Sequence, residues 1–561
     1  MERKRVEPAS VVLLAAIAFY GFLQYQYALY GMYIWDEFVD SALGADMILR
    51  ARPYVDYFPF KTQLGILLYG IPYLFCRNME AILLINRHTA FLFVVGSLYV
   101  LYQLQREVFG SERGGLWAVL WTLTCSTFLE HSFTIRADIL ATFLAILAVR
   151  LFVARRSWRG SLAAGMCLSL AFCTTQKSLY FIVAFVVAFW AAQGKAGFNP
   201  IKEFGAFALG GVAVFAAYVV GFGRGGVYAN VVKDVFNLKI AASVSVLSPY
   251  TYFRNYYWQT FSRNIPFYCL CFAGLGYVFR YWRANAWQQN FTACFTLIVL
   301  VFLLIHRHSW PYLFLFVIPF LACFAALVSE QVYAALKNST KVLAVPAAVL
   351  LATVGVTSVM RYQVYFRYKA FAQMETVRAV ETILGPEDTY YDGVRMIGTR
   401  KSARNDYLAT EDIKRLLASW ETLGAELMDA LRAAQCKVII YNSRLTRLPE
   451  PFQRFIQDHY VLADKNVFVS GSEITTSPQE VELIWGGPYG VVVEGDCRNL
   501  RVDGEPFDAG KGPAVLRPGK HRIGYDGDGT FLLIPEAARR WMETNRVERT
   551  ITSLFVDLYG V

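Results

Sequence analysis

The chain contains no Cys-x-x-Cys pair and no spacing of His, Cys, Asp and Glu of the kind that ligates a metal. Zinc ribbons and dithiol redox motifs are thereby set aside. It also lacks an internal repeat and a low-complexity linker. A transporter built from symmetric halves would show such a repeat. Charge is sparse: 17% of the 561 residues are Asp, Glu, Lys or Arg, against 56% hydrophobic and 16% aromatic. That balance is too apolar for a soluble protein of this size. The net charge of +11 does not point to nucleic acid, because the basic residues cluster at the ends of apolar runs, where anionic headgroups and the positive-inside rule account for them. Of ten cysteines, eight lie in or beside apolar runs, where Cys acts as a small hydrophobe. Cys436 and Cys497 alone fall in the polar C-terminal third, where a disulfide is one arrangement if that part is exported.

What is abundant is the long apolar run. By the criterion of roughly 20 residues per crossing, about eleven candidate spans follow, some short and tilted. They lie near 9–30, 80–104, 113–129, 138–154, 160–175, 178–194, 203–223, 265–282, 290–306, 309–328 and 341–361. The segment 61–76 is apolar but short and holds Gly65, Gly70 and Pro72, which predicts a juxtamembrane or re-entrant piece. No small-residue cleavage site follows the first run, so it reads as a retained span rather than a signal peptide.

Short loops rich in basic residues set the expected orientation. Arg3-Lys4-Arg5, Arg106 and Arg113, Arg155-Arg156-Arg159, Lys195 and Lys202, Arg280 and Arg283, and Lys337 and Lys341 fall on one side, which predicts a cytoplasmic N-terminus. An odd number of spans then places everything after about residue 361 outside the cytoplasm. Nearly every unusual polar residue at a span end falls on that outer face. Charges there are costly unless paired or lining an aqueous cavity, so their convergence suggests a site.

The C-terminal third changes character. Residues 362–472 alternate helix-like and strand-like runs: AVETIL, then LGAELMDALRAAQ, KVIIY, PFQRFIQDHY and VFVSG, an α/β pattern. Residues 473–561 read as a small all-β module with a final helix near 536–546. Its short strands YGVVVEG, NLRVDGEPF, AVLRPGKHRIGY and GTFLLI are broken by Asp-Gly and Pro-Gly turns.

Among the outer-face residues the adjacent pair Asp36-Glu37 stands first. A carboxylate at the water edge of a bilayer acts as general base on an incoming hydroxyl or amine, binds a cation, or simply ends a helix in solvent. Adjacent helical residues point about 100° apart, which allows one of the pair to be catalytic and the other structural. Lys61, in Asp56-Tyr57-Phe58-Pro59-Phe60-Lys61, suits a phosphate or snorkels toward headgroups. Tyr57 lines a substrate cavity or joins an aromatic belt. Arg136 and Asp138 precede the fourth span and form either a functional pair or a local cap. Lys177, between two spans, contacts phosphate or snorkels. In His306-Arg307-His308, Arg307 offers a forked donor for a phosphate oxygen, with His306 and His308 as candidate cavity residues. The basic, aromatic 224–264 loop, with Arg224, Lys233, Lys239, Arg254 and Arg263, reads as a lid or as an interfacial anchor.

With these residues the sequence resembles a GT-C class glycosyltransferase, nearest the bacterial branch related to protein O-mannosyltransferases and the lipid A aminoarabinose transferase. The resemblance rests on Asp36-Glu37, the aromatic stretch ending at Lys61, Arg136-x-Asp138, the span count and HRHSWPYLFLFVIPFLA, and covers residues 1–361. The sequence departs from the family at Lys61, which is followed by Thr62-Gln63-Leu64 where Pro-Pro-Leu is usual. The 490–535 part is similar to small PEGA-type β modules through Val502-Asp503-Gly504 and Arg517-Pro518-Gly519.

The resemblance implies a GT-C fold in a bacterial inner membrane and a polyprenyl-phosphate sugar donor. It further implies inverting transfer on the periplasmic side to a lipopolysaccharide or other lipid-linked glycan, with a protein acceptor less favoured. It gives Asp36 the role of base, Glu37 a supporting role, and Asp138 that of orienting the acceptor or a basic partner. Lys61, Arg136, Lys177 and Arg307 fall to the donor phosphate. No cofactor is expected, with a divalent metal left open. Competing readings are an O-antigen ligase or polymerase, a lipid-linked glycan flippase, and a sensor carrying an exported β module.

Overall fold

The computed structural model describes residues 7–56, 62–154, 157–192, 199–224, 226–235, 258, 260–306, 310–338, 355–356, 359–360, 367, 369–404, 408, 415–507 and 512–555. Helix α1 (Pro8–Tyr30) starts on a proline, whose missing N–H costs nothing at a helix N-terminus, and stops at Gly31. Three extended residues later α2 (Trp35–Leu49) begins, with Asp36 and Glu37 in its first turn, where the helix dipole favours acids. The short α3 (Leu64–Gly70) follows and runs into a 3-10 turn, Ile71–Leu74, within the segment expected to be juxtamembrane or re-entrant. Helices α2 and α3 cross at two glycines: a Cβ on Gly44 would stand 2.6 Å from the Gly70 nitrogen.

The bundle continues with α4 (Met79–Phe109), α5 (Glu112–Thr124), α6 (Ser126–His131), α7 (Ala137–Ala154), α8 (Trp158–Thr174), α9 (Leu179–Ala191) and α10 (Pro200–Phe222). After α11 (Tyr228–Val235) come α12 (Ile265–Arg280), α13 (Trp287–Ile305) and α14 (Ile318–Asn338). Among the described residues six helices are long and apolar enough to cross a membrane: α1, α4, α7, α10, α13 and α14. Three shorter apolar segments, Leu64–Leu74, Gln176–Ala191 and Ile265–Arg280, accompany them. The chain is a multi-pass membrane protein. The expected span 341–361 lies almost wholly outside the described residues.

Two expected spans break where the backbone leaves the helix. The run 113–129 divides at Cys125, which is extended, into α5 and α6. The run 309–328 opens as a 3-10 turn, Pro311–Phe316, and becomes α-helical only from Ile318. Both breaks fall at the same end of the bundle, where the polar residues gather. At the opposite end Arg113 of α5 clasps Glu330 of α14 (2.7 Å) and Glu7 before α1 (2.6 Å). Helix α4, with 31 residues, is about 46 Å long at 1.5 Å per residue, well beyond a hydrocarbon core of about 30 Å. Its N-terminus projects from the bundle and meets the C-terminal region.

That region opens with α15 (Phe371–Ile383) and a five-stranded sheet of β1 (Thr389–Tyr391), β2 (Lys401–Ser402), β3 (Val438–Ile440), β4 (Tyr460–Asp464) and β5 (Val467–Ser470). The strand order is β2-β1-β3-β5-β4, with β1 parallel to β2 and β3. Helices α16 (Trp420–Ala433) and α17 (Glu450–His459) connect and cover it. After Gly471 the chain enters two four-stranded antiparallel sheets. One has the order β10-β9-β12-β7 and the other β11-β8-β13-β6. These strands are β6 (Ser472–Ile474), β7 (Gln479–Leu483), β8 (Gly487–Glu494), β9 (Arg498–Val502), β10 (Glu505–Pro506), β11 (Ala514–Leu516), β12 (Gly519–Asp526) and β13 (Thr530–Pro535). Asp503 (φ 54°) and Gly504 (φ 86°) form the left-handed turn that the β9–β10 hairpin requires. The chain then passes into α18 (Glu536–Thr544).

The three segments share one core. Tyr33, Phe38, Tyr73, Met79 and Ile135 of the bundle pack in the same cluster as Val377, Val380, Val438 and Val467 of the α/β region and Ile534 and Ala538 beyond it. Cys436 and Cys497 are free thiols, the first in the α/β core and the second at the edge of the β module, so the disulfide considered from sequence is not formed.

Candidate active site

The first turn of α2 is held from beneath by α4. Arg87 lies mid-way along an apolar helix and is 1% exposed. All five of its N–H groups are used. Nε and Nη2 donate to the two Glu37 oxygens (2.8 and 2.9 Å), while Nη1 and Nη2 donate to the backbone carbonyls of Ala28, Gly31 and Met32. Its guanidinium also stacks 3.5 Å from the Tyr33 ring centroid. Glu37 accepts further from the Ile34 N–H (2.9 Å) and the Ile135 N–H (3.1 Å). It is fully buried. These contacts leave Glu37 no opening toward a substrate; it orients the loop instead, joining the end of α1, the start of α2 and the bend that enters α7.

Asp36, the neighbour of this locked residue, faces the other way. One of its oxygens accepts from Nη1 of Arg136. The Arg136 Nε donates to Asp138 (3.0 Å), so a single guanidinium bridges the two carboxylates. Lys177 completes the group, with its Nζ 3.8 Å from Asp138 and 3.3 Å from the Tyr312 hydroxyl. The Tyr312 ring forms the floor: the Arg136 Cζ is 3.4 Å and the Lys177 Nζ 4.5 Å from its centroid. Tyr69 donates to the Arg136 carbonyl (2.8 Å) and fixes that backbone. Exposure divides the set. Arg136 and Asp138 are buried, whereas the side chains of Asp36 and Lys177 are 31% and 30% exposed. One carboxylate and one ammonium thus look outward from the buried Arg136–Asp138 pair.

The structure therefore gathers Asp36, Arg136, Asp138 and Lys177, which are spread over some 140 positions of sequence. Tyr57, Lys61, Arg307 and His308 lie outside the described residues. Described residues on either side of the 57–61 stretch meet one residue of α10: Tyr218 pairs with the Tyr54 hydroxyl (3.0 Å) and accepts from the Gln63 N–H (3.0 Å). His306 is hydrogen-bonded to Tyr180 (2.5 Å). Most of the 224–264 loop is likewise outside the described residues. Its last basic residue, Arg263, binds the buried Glu130 (3.3 Å).

Sequence reasoning missed Arg87, Asp40 and the platform role of Tyr312. Asp40 is 1% exposed, one helical turn beyond Asp36, and its charge acts on Arg136. The i,i+4 spacing of Asp36 and Asp40 was its signal. A lone Arg inside an apolar span was the signal for Arg87, because such a charge is expensive unless it has a partner. Among the described residues no group of three or more His, Cys, Asp or Glu side chains is set to hold a metal.

Chemically, the frame can keep Asp36 ionised beside Arg136 while offering positive charge from Arg136 and Lys177 to an anionic group. That is the pairing an acid–base displacement with an anionic leaving group needs.

Comparison with known proteins gives one family match. Residues 67–222 match the family described as dolichyl-phosphate-mannose-protein mannosyltransferase. No curated protein matches the sequence. Among solved structures, the chain is similar to ArnT from Cupriavidus metallidurans bound to undecaprenyl phosphate, at 14% identity and a TM-score of 0.48, over 69% of this chain and 84% of that one. It is also similar to the Archaeoglobus fulgidus oligosaccharyltransferase in complex with Zn and sulfate (13%, TM-score 0.37, 62% and 53%). The arabinosyltransferase EmbB from Mycobacterium smegmatis is a further one (11%, TM-score 0.34, 95% and 65%). The matched residues 67–222, under a third of the chain, include Arg87, Arg136, Asp138 and Lys177, and the match supports the GT-C class resemblance read from the outer-loop residues.

Proposed function

We propose that the protein is an integral-membrane glycosyltransferase that moves a sugar from a polyprenyl-phosphate donor to an acceptor outside the cytoplasm, with inversion at the anomeric carbon. The observation that carries this reading is the shared guanidinium: Arg136 holds Asp36 and Asp138 together at the bundle end where Lys177 also opens outward. The family match supports the donor class, because a dolichyl phosphate is a polyprenyl-type lipid phosphate.

In this reading Asp36 removes the proton of the acceptor hydroxyl as its oxygen attacks the anomeric carbon. The bond from that carbon to the phosphate oxygen breaks, and the lipid phosphate departs with the electron pair. Lys177 and Arg136, with Lys61 and Arg307, stabilise the charge that builds on it. Asp138 keeps Arg136 and Lys177 in place, and Glu37 holds the turn that carries Asp36. The donor sugar is a hexose or pentose and the acceptor a lipid-linked glycan. No step of this scheme requires a metal. The N-terminus faces the cytoplasm of a bacterial inner membrane, and the C-terminal region faces the periplasm.

The test is Asp36→Asn, which keeps size and hydrogen bonding but removes the base. Transfer is lost while the protein remains folded in the membrane. Transfer at the normal rate would overturn the assignment.

A further inference from the structure

The turn that carries Asp36 is gripped from both sides. The bundle holds Glu37, as described above. The C-terminal region holds the residues around it. The Ala370 N–H donates to the Tyr30 carbonyl (3.0 Å). Gln373 of α15 bonds Tyr33 twice, accepting from its N–H and donating to its carbonyl (both 2.8 Å). The same amide reaches the Leu554 carbonyl (2.9 Å), which brings in the adjoining Phe555. Phe555 packs edge-on against Trp35 (5.7 Å) and Phe38 (5.9 Å).

Trp35, adjacent to Asp36 and the first residue of α2, has a second partner. The Arg444 guanidinium lies 3.9 Å from the Trp35 ring centroid and is 4% exposed. Arg444 follows the carboxyl end of β3, and its position is set by a chain of short-range bonds. The Arg444 N–H donates to Asn442 (2.9 Å), and the Asn442 amide donates to the Asp392 carbonyl (2.8 Å) at the end of β1. The Asp392 carboxylate in turn accepts from the N–H groups of Val394, Arg395 and Met396 (2.6 to 2.9 Å). The carboxyl ends of two parallel strands thus deliver one buried cation onto the aromatic residue next to the candidate base.

We infer that Arg444 is a positioning residue for transfer, acting through Trp35 to hold the first turn of α2 in register with Arg136. The inference rests on the reading of Asp36 as the base. Its physical content is separate: a planar cation on an indole face resists rotation of that turn. A shift of the carboxylate by a fraction of an ångström is enough to cost turnover.

The experiment compares the full-length protein with Arg444→Met and Arg444→Lys in lipid nanodiscs. Met removes the charge and the plane at similar length; Lys keeps a cation. Amide hydrogen exchange is followed in peptides covering 31–38, with peptides from β12 as an internal reference. Arg444→Met speeds exchange in 31–38 by roughly tenfold and leaves the reference unchanged, as expected of a local opening. Arg444→Lys recovers most of the protection. In cells the Met variant reaches the membrane at the normal level but forms at least fivefold less glycosylated product, and Lys restores most of it. Unchanged exchange in 31–38 with Met overturns the inference, as does equal acceleration in the reference peptides. The exchange result does not depend on catalysis, so an active Asp36→Asn protein would remove the base assignment and leave this measurement standing.

Discussion

Arg87 and Glu37 form a two-pronged ion pair, 2.8 and 2.9 Å, with both side chains out of solvent. They lie on different helices, and every remaining polar group of each is used by the backbone around α2. Such a pair is neutral as a unit but intolerant of losing one member. Arg87→Met leaves the Glu37 carboxylate buried without its cation, at a cost of about 3–5 kcal/mol. The expected outcome is a lower thermal midpoint in detergent and poor accumulation in the membrane. Arg87→Lys is not a rescue, because a point cation replaces only some of five directed bonds.

Arg136 presents the opposite case. It joins two carboxylates, but the frame also includes Lys177 and the Tyr312 platform, so its loss is felt in chemistry first. Arg136→Lys keeps a charge over Tyr312 yet cannot bridge Asp36 and Asp138 together. Turnover falls by about a hundredfold, the scale of losing one preorganised electrostatic contact. Product formation at matched membrane levels measures it.

The C-terminal helix supplies a pH test. Glu536, at the start of α18, accepts bonds from Arg539 and then Arg540, which hold its carboxyl down at about 2. A folded value below the ordinary 4.5 means stability that is present above 4.5 and lost as pH falls from 4.5 toward 2. Glu536→Gln removes that dependence. Hydrogen exchange of the 536–544 segment then varies less across this interval than in the unmodified protein.

Topology can be read directly. A reporter that is active only outside the cytoplasm, fused after residue 370, gives signal if the C-terminal region lies outside. A fusion at the Arg155-Arg156 loop gives none. The reverse pattern would invert the proposed orientation.

Much of the fold was legible because its cause is local. Long apolar runs mark α1, α4, α7, α10 and α13, and the stretches LGAELMDALRAAQ, KVIIY and PFQRFIQDHY became α16, β3 and α17. The site was legible as a set of charges at span ends, Asp36, Arg136, Asp138 and Lys177. What escaped depends on contacts between distant segments. Arg87 was absorbed into an apolar run because its partner lies 50 residues away. Strands β1 and β2 are three and two residues long and are specified by pairing rather than pattern. Tyr312 reads as one more aromatic until the bend before α7 and the Gln176–Ser178 turn place two cations on its ring. The breaks at Cys125 and before Ile318, invisible to a hydropathy window, both fall at the polar end of the bundle.

The most direct test of the account is mass spectrometry of envelope glycolipids and glycans from three strains: one with the gene, one without it, and one carrying Asp36→Asn at equal membrane level. The account predicts a sugar of defined mass present in the first and missing from the other two, with its polyprenyl-phosphate-linked form accumulating in both. Identical profiles in the first two strains, or a normal profile with Asp36→Asn, would contradict it.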